Sequence, residues 1–272
     1  MLSKEIVEIG RESLFHTSCL SERGGREWNE DCYDFLQLGP SVCWAIADGL
    51  GGHQGGQVAS QIAVKAVIES FRGNPGFSQA GLQQHMTAAH EAVQKAQQDN
   101  PALAGMRTTL VVMLTDSKRG LWAHVGDSRL YRFQKRGIAE QTEDHSVPQA
   151  LVKAGDITAA QVRGHCDRNR LLRSVGEPGE VQAAIPDAPR ELCPGDAFLL
   201  CTDGFWEYVY ETEMLADLVC SNSPGEWLAR AQSRILRRAS GEYDNYSAVA
   251  IFFSGDSVLL NQVDRNKGWT QR

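Results

Sequence analysis

Apolar and polar positions fall into short blocks along the first part of the chain and then give way to stretches of helical spacing. Cys32 to Leu38 and Val42 to Ala47 are rich in β-branched and aromatic residues, are separated by Gly39-Pro40, and predict two neighbouring strands. Gln57 to Phe71 carries Val58, Ile62 and Ala66 at near-helical spacing. Ser78 to Gln98 is an Ala/Gln-rich run of strong helix formers that Asn100-Pro101 stops. A β block follows from Arg107 to Phe133, with Thr109 to Leu114 as one strand and Leu121 to Val125 and Arg129 to Phe133 as its hairpin neighbours. Ser146 to Asp167 reads as two short, polar helices around Gly155-Asp156. Val181 to Ile185 and Ala197 to Thr202 return to strand character, Glu211 to Cys220 and Pro224 to Ala239 are helical, and Ser247 to Phe253 is a last strand. Strand hairpins interleaved with helix pairs, rather than strict strand–helix alternation, indicate an α+β fold with antiparallel sheets. No repeat or Pro/Gly-rich linker divides the chain, so residues 1–256 are expected to form a single domain, with 257–272 as a C-terminal tail.

Composition narrows the class. The chain has 272 residues, 42% of them hydrophobic and 22% charged, which is ordinary for a soluble globular protein and excludes wholesale disorder. Apolar runs such as Leu110 to Leu114 are too short to span a bilayer, so no membrane association is expected. Lys4, Glu5, Glu8, Arg11 and Glu12 leave no room for the apolar region of a secretory signal, and the expected location is cytoplasmic. A net charge of −7 and tryptophans without a stacking pattern argue against nucleic-acid binding. The seven cysteines are scattered without a CxxC pair, which reads as reduced, mostly structural thiols and argues against zinc. His85 and His90, five apart on a helix, read as solvated; His124 reads as packed or exposed. Arg230, Arg234, Arg237 and Arg238 read as a solvated basic stripe.

The aspartates change the picture. Asp48 follows the apolar run Val42 to Ala47, Asp203 follows Phe198 to Thr202, and Asp127 follows Leu121 to Gly126. Asp31 immediately precedes one strand and Asp244 comes shortly before another. Carboxylates at the ends of apolar strands sit on stiff supports. Asp48-Gly49 and Asp203-Gly204 each place a glycine after the acid, which permits close backbone approach; either alone would pass for a turn. Like charges ~4 Å apart repel by about 4 kcal/mol at an effective dielectric of ~20, so a convergent set of five requires cations. An oxygen donor set favours Mg²⁺ or Mn²⁺.

Arg26-Glu27-Trp28-Asn29-Glu30-Asp31, Ala47-Asp48-Gly49-Leu50-Gly51-Gly52-His53, Val125-Gly126-Asp127-Ser128-Arg129, Cys201-Thr202-Asp203-Gly204 and Asp244-Asn245 occur in this order. The series resembles the metal-dependent type 2C serine/threonine protein phosphatases in their bacterial form, and Thr108-Thr109-Leu110, Glu143-Asp144-His145-Ser146 and Asn169 to Leu172 extend the likeness. The resemblance implies two antiparallel sheets packed as a central sandwich flanked by helix pairs, four layers in all. It implies a two-ion Mn²⁺ or Mg²⁺ centre with a third, weaker site. In that scheme Asp48 bridges the two ions with the Gly49 carbonyl as a further ligand, and Asp203 and Asp244 complete the first site. Asp31 with Glu30 acts directly or through water, Asp127 serves the third ion, and Arg26 grips phosphate. His53 is the candidate proton donor; a loop histidine bonded to backbone is the alternative. The implied substrates are phosphorylated proteins opposite a Ser/Thr kinase pathway, and the implied state is a monomer. Residues 146–168 correspond to the family's flap. Arg107, Gln57 and Ser247 depart from the family pattern, and Glu207 is a candidate substitute for an acid that assists the third ion in some relatives.

Overall fold

The computed structural model describes residues 14–51, 55–135 and 137–255. Among the described residues eleven strands form two antiparallel sheets. The first is ordered β1 (Phe15–Glu22), β11 (Tyr246–Phe253), β10 (Ala197–Cys201), β7 (Arg129–Gln134), β8 (Gly137–Gln141). The second is ordered β2 (Asp31–Leu38), β3 (Ser41–Leu50), β5 (Leu110–Thr115), β6 (Arg119–Val125), β9 (Arg190–Glu191), and the two-residue β4 (Arg107–Thr108) pairs with the end of β3. Helices α1 (Gly55–Gly73) and α2 (Gln79–Asp99) cover the second sheet. Helices α5 (Glu211–Val219) and α6 (Pro224–Arg238) cover the first; α3 (Val147–Ala154) and the single turn α4 (Asp203–Trp206) lie in connections.

Strand alternation builds the layers. Trp44 and Ile46 of β3, Val111 and Met113 of β5, Phe198 and Leu200 of β10, and Val249 and Ile251 of β11 meet between the sheets. Their neighbours face outward: Cys43, Ala45, Ala47, Val112 and Leu114 pack under α1 and α2, while Leu199, Cys201, Ala248 and Ala250 pack with Trp206, Trp227 and Ile235. Because helices cover both outer faces, these central strands are apolar on both sides, which is why they read as continuous runs rather than alternating ones. The bulky residues fill the space between sheets, and alanines let the helices approach closely. This is the four-layer sandwich that the resemblance implies.

Local signals account for the boundaries. Ser78 caps α2 by accepting from the Gly81 amide at 3.0 Å, and Gly155 ends α3 in the left-handed region at φ 83°. Three expectations need correction. Arg129–Phe133 is not a hairpin neighbour of β6: after Gly126 (φ 98°) the chain leaves the second sheet, and β7 pairs with β10 and β8. Val181–Ile185 forms no strand and makes only the isolated bridge His124↔Ala184. His85 and His90 are buried, not solvated: His85 Nδ1 is 2.8 Å from Ser70 Oγ, while His90 Nδ1 accepts from the Gly176 amide and its Nε2 lies 3.0 Å from the Gly179 carbonyl. The basic stripe is partly engaged. Arg234 binds Glu213 and Asp217, and Arg238 binds Glu213, fastening α6 to α5.

Candidate active site

The acids converge where strand ends from both sheets meet. Asp31 at the start of β2 lies directly opposite Asp48 at the end of β3 in antiparallel register, an arrangement that repels unless something positive intervenes. Asp203 follows β10, and Asp244 lies shortly before β11, the strand that pairs with β10. Asp127, in the crossing between β6 and β7, joins them from the side. A cleft of about 170 Å³ is lined by Arg26, Glu30, Asp48, Gly49, Asp127, Asp203 and Asp244, so the structure gathers nearly all the residues singled out in the sequence. Asp31 is buried beside it. His53 lies outside the described residues.

Specific partners position Asp48, Asp31 and Asp127. The Asp48 amide donates to Thr109 Oγ1 at 2.9 Å, and its carbonyl accepts from Thr108 Oγ1 at 2.7 Å and from the Thr109 amide at 2.8 Å. Asp31 Oδ2 accepts from Thr202 Oγ1 at 2.9 Å. Arg129 makes a bidentate, almost fully buried pair with Asp144 at 2.8 and 2.7 Å and lies 3.5 Å over the Trp206 ring. Trp206 Nε1 in turn donates to the Asp127 carbonyl at 2.9 Å. Gly49 must be glycine: a Cβ there would stand 2.0 Å from the Gly56 carbonyl oxygen, where β3 and the start of α1 touch.

One contributor was not assigned a role in the sequence. Asn245 ties the loop carrying Arg26 and Glu30 to the other sheet: its Oδ1 accepts from the Glu30 amide at 2.7 Å, and its Nδ2 donates to the carbonyls of Arg23 and Trp28 at 2.7 and 2.8 Å. The Asp-Asn dipeptide was the available signal. The Glu30 carboxylate accepts from the backbone amides of Gln57 and Gly56 in the first turn of α1. Glu207 is paired with Arg168 of the flap at 2.8 Å.

The electrostatics follow from crowding like charges in a poorly solvated place. Burial first, and then the neighbouring acids, push the carboxyl of Asp31 up to about 8 and that of Asp203 up to about 7. Asp48 and Asp127 are pushed well above the usual carboxylate range for the same reasons, with Asp203 foremost among the charges acting on each. Glu30 is raised mainly by burial. Among the described residues lining the cleft the one cation is Arg26, whose Nη2 donates to Asp244 Oδ2 at 2.8 Å; Asp244 raises the guanidinium pKa further. Asp31 Oδ1 and Asp203 Oδ1 are buried with no hydrogen-bond partner. Buried orphan carboxylate oxygens in an acid-lined cleft fit hard divalent cations of the Mg²⁺ or Mn²⁺ type.

A four-layer helix–sheet–sheet–helix sandwich with a carboxylate cleft at its strand ends defines the class: a scaffold for an oxygen-ligated metal centre. The family model described as Protein phosphatase 2C matches residues 22–234, and the chain belongs to that family. The serine/threonine phosphatase stp of Listeria monocytogenes serotype 4b (strain F2365) is 33% identical over 208 residues, covering 73% of this chain and 81% of that protein. The serine/threonine protein phosphatase PstP of Mycobacterium tuberculosis is 34% identical over 230 residues, which are 84% of this chain and 41% of the relative. The crystal structure of the catalytic domain of PstP in complex with two manganese ions superposes with a TM-score of 0.74 at 30% identity, covering 88% of this chain and 97% of that one.

Proposed function

We propose that the protein hydrolyses phosphoserine and phosphothreonine in protein substrates with a two-ion Mn²⁺ or Mg²⁺ centre. The observation that carries this is the convergence of Glu30, Asp48, Asp127, Asp203 and Asp244 on one cleft whose rim holds Arg26, with unpartnered buried carboxylate oxygens on Asp203 and on the adjoining Asp31. Asp48 with the Gly49 carbonyl, Asp203, Asp244, and Asp31 with Glu30 would hold the two ions, and Asp127 would contribute to a third site. Such ions, when bound, supply Lewis acidity that brings water's ionisation close to neutral pH and offsets phosphate charge.

The chain's own residues do the rest. Arg26 is half-exposed and held by one charged partner, so its remaining N–H groups are free to fork two phosphoryl oxygens. Asn245 keeps the Arg26 loop in register with Asp244, so the phosphate grip and the acid cluster move together. Thr202 and Thr109 hold Asp31 and Asp48 in place without adding charge. His53 is the candidate donor of a proton to the departing seryl or threonyl oxygen. Because the nucleophile is water, no phosphoenzyme forms. The working unit in this reading is one catalytic domain, a cytoplasmic monomer opposing a Ser/Thr kinase. Among the described residues no helix is long and apolar enough to cross a membrane.

The test is phosphate release from a phosphothreonine peptide by wild type and Asp203→Asn, with Mn²⁺ and with EDTA. Metal-dependent turnover that collapses in the variant is the expected result. A wild type that binds Mn²⁺ and releases nothing would refute the reading.

A further inference from the structure

The tightest grouping of potential metal-ligand atoms in the described protein lies outside the acid cleft. His165, Cys166 and Asp167 are consecutive in the flap, and one ligand atom from each falls within 4.8 Å of the others, a spacing that no other such trio among the described residues reaches. The cleft acids are spread more widely. Cys166 Sγ is 4.0 Å from His165 Nδ1 and 3.8 Å from Asp167 Oδ2. Tetrahedral zinc has bonds of ~2.3 Å to sulfur and ~2.0–2.2 Å to nitrogen or oxygen, which puts the sulfur-to-neighbour edge at about 3.6 Å. Both sulfur contacts are therefore within a few tenths of an ångström of that edge. The His165 ring is already oriented: Nδ1 accepts the Asp167 backbone amide at 3.1 Å, which leaves its lone pair turned into the turn.

The turn is anchored on both sides. Arg163 Nε donates to the Trp206 carbonyl at 2.9 Å, and Arg168 Nε donates to Glu207 Oε1 at 2.8 Å. Cys166 is a free, exposed thiol, so an ion can reach it from solvent.

We propose that this flap turn is a site for a thiophilic divalent cation of the zinc class, ligated by His165 Nδ1, the Cys166 thiolate and an Asp167 carboxylate oxygen, with water in the fourth position. As the sulfur–metal bond forms, the Cys166 S–H bond gives up its proton to solvent, and the Asp167 amide exchanges its imidazole acceptor for water. A sulfur, nitrogen and oxygen donor set selects zinc or cobalt over Mn²⁺ or Mg²⁺, so the site is chemically distinct from the acid cleft. Asn169 and Leu171, two and four residues beyond Asp167, line that cleft, so loading the turn stiffens one of its walls.

The test is a Co²⁺ titration of the full chain, followed by the near-ultraviolet thiolate-to-cobalt charge-transfer band that oxygen ligands cannot produce. The band should saturate with a single ion, be removed by Zn²⁺, and persist in Asp203→Asn and in Cys220→Ser. It should vanish in Cys166→Ser, and His165→Ala should weaken Co²⁺ binding about tenfold or more. Absence of the band in wild type, or its survival in Cys166→Ser, would overturn the proposal. Neither result depends on phosphatase activity, so this site and the proposed function stand or fall separately.

Discussion

Asp203→Asn should stabilise the metal-stripped protein while abolishing its response to metal. The carboxyl of Asp203 is pushed up to about 7 from an ordinary 3.8, chiefly by burial and then by Asp244. The folded state thus holds this proton more tightly than the unfolded chain does. Stability from this group is fully present below about pH 4 and is lost as the pH rises towards 7. A shift of some three units corresponds to about 4 kcal/mol; since the residue is half-buried and solvent screens it, about 2 kcal/mol is the reasonable expectation. Asparagine keeps the shape and removes the charge. For a domain of this size 1 kcal/mol moves the melting temperature by about 2–4 °C, so the variant should melt roughly 4–8 °C above wild type in EDTA near pH 8. The gap should narrow as the pH is lowered towards 5. With Mn²⁺ at about a hundred times its Kd, wild type should gain about 2.7 kcal/mol and the variant little, so the order of melting reverses. Thermal melts at two pH values, with EDTA and with Mn²⁺, decide it. A variant that melts below wild type in EDTA near pH 8 would refute the idea that these acids repel one another in the folded protein.

Other consequences follow from the same geometry. Arg26→Lys should lower kcat/KM about 10–100-fold through loss of the planar fork while leaving Mn²⁺ affinity nearly unchanged, as steady-state kinetics beside calorimetric Mn²⁺ titration would reveal. Asp144→Ala removes the bidentate partner of buried Arg129 and leaves it only the Tyr131 hydroxyl and a 3.5 Å contact with Glu211; it should cost about 3 kcal/mol in urea denaturation, whereas replacing both partners with apolar residues should cost less. His145, stacked on His124 at 4.6 Å, is held down to about 3 by burial and by its neighbour. The unfolded chain therefore takes up the proton first, and stability falls as the pH drops from about 6.5 towards 3. His145→Asn should flatten that slope in urea midpoints measured across this range. Gly49→Ala drives a Cβ to 2.0 Å from the Gly56 carbonyl oxygen and should abolish metal-dependent turnover, with a melting temperature that no longer rises on adding Mn²⁺.

Much of this arrangement is legible in the chain because it depends on short-range patterns. Strands such as β5 and β10 show as apolar runs, α2 shows by its composition and its Ser78 cap, and acids stand at the ends of those runs. Strands without that signature are not legible. Polar residues interrupt β1, an edge strand that places Phe15 in the core and lets Thr17 Oγ1 accept from Trp44 Nε1; neither a continuous apolar run nor a regular alternation marks it. The segment Val181–Ile185 misleads in the opposite direction. Its apolar residues pack against the α1–α2 side of the core without strand pairing, and burial alone makes such a run look like a strand.

By itself the sequence determined which carboxylates matter, in what order they come, and that their donor chemistry suits hard cations, because residue type and position at a strand end are local properties. Only the tertiary structure decided that Asp31 faces Asp48, that β7 crosses to the other sheet, that Asn245 joins the Arg26 loop to Asp244, and that the Glu30 carboxylate accepts from amides in the first turn of α1. Those facts depend on strands and loops as much as 222 residues apart meeting in one register. The raised proton affinities arise the same way: no carboxylate perturbs itself, and each shift exists because burial and distant charges are brought to one place.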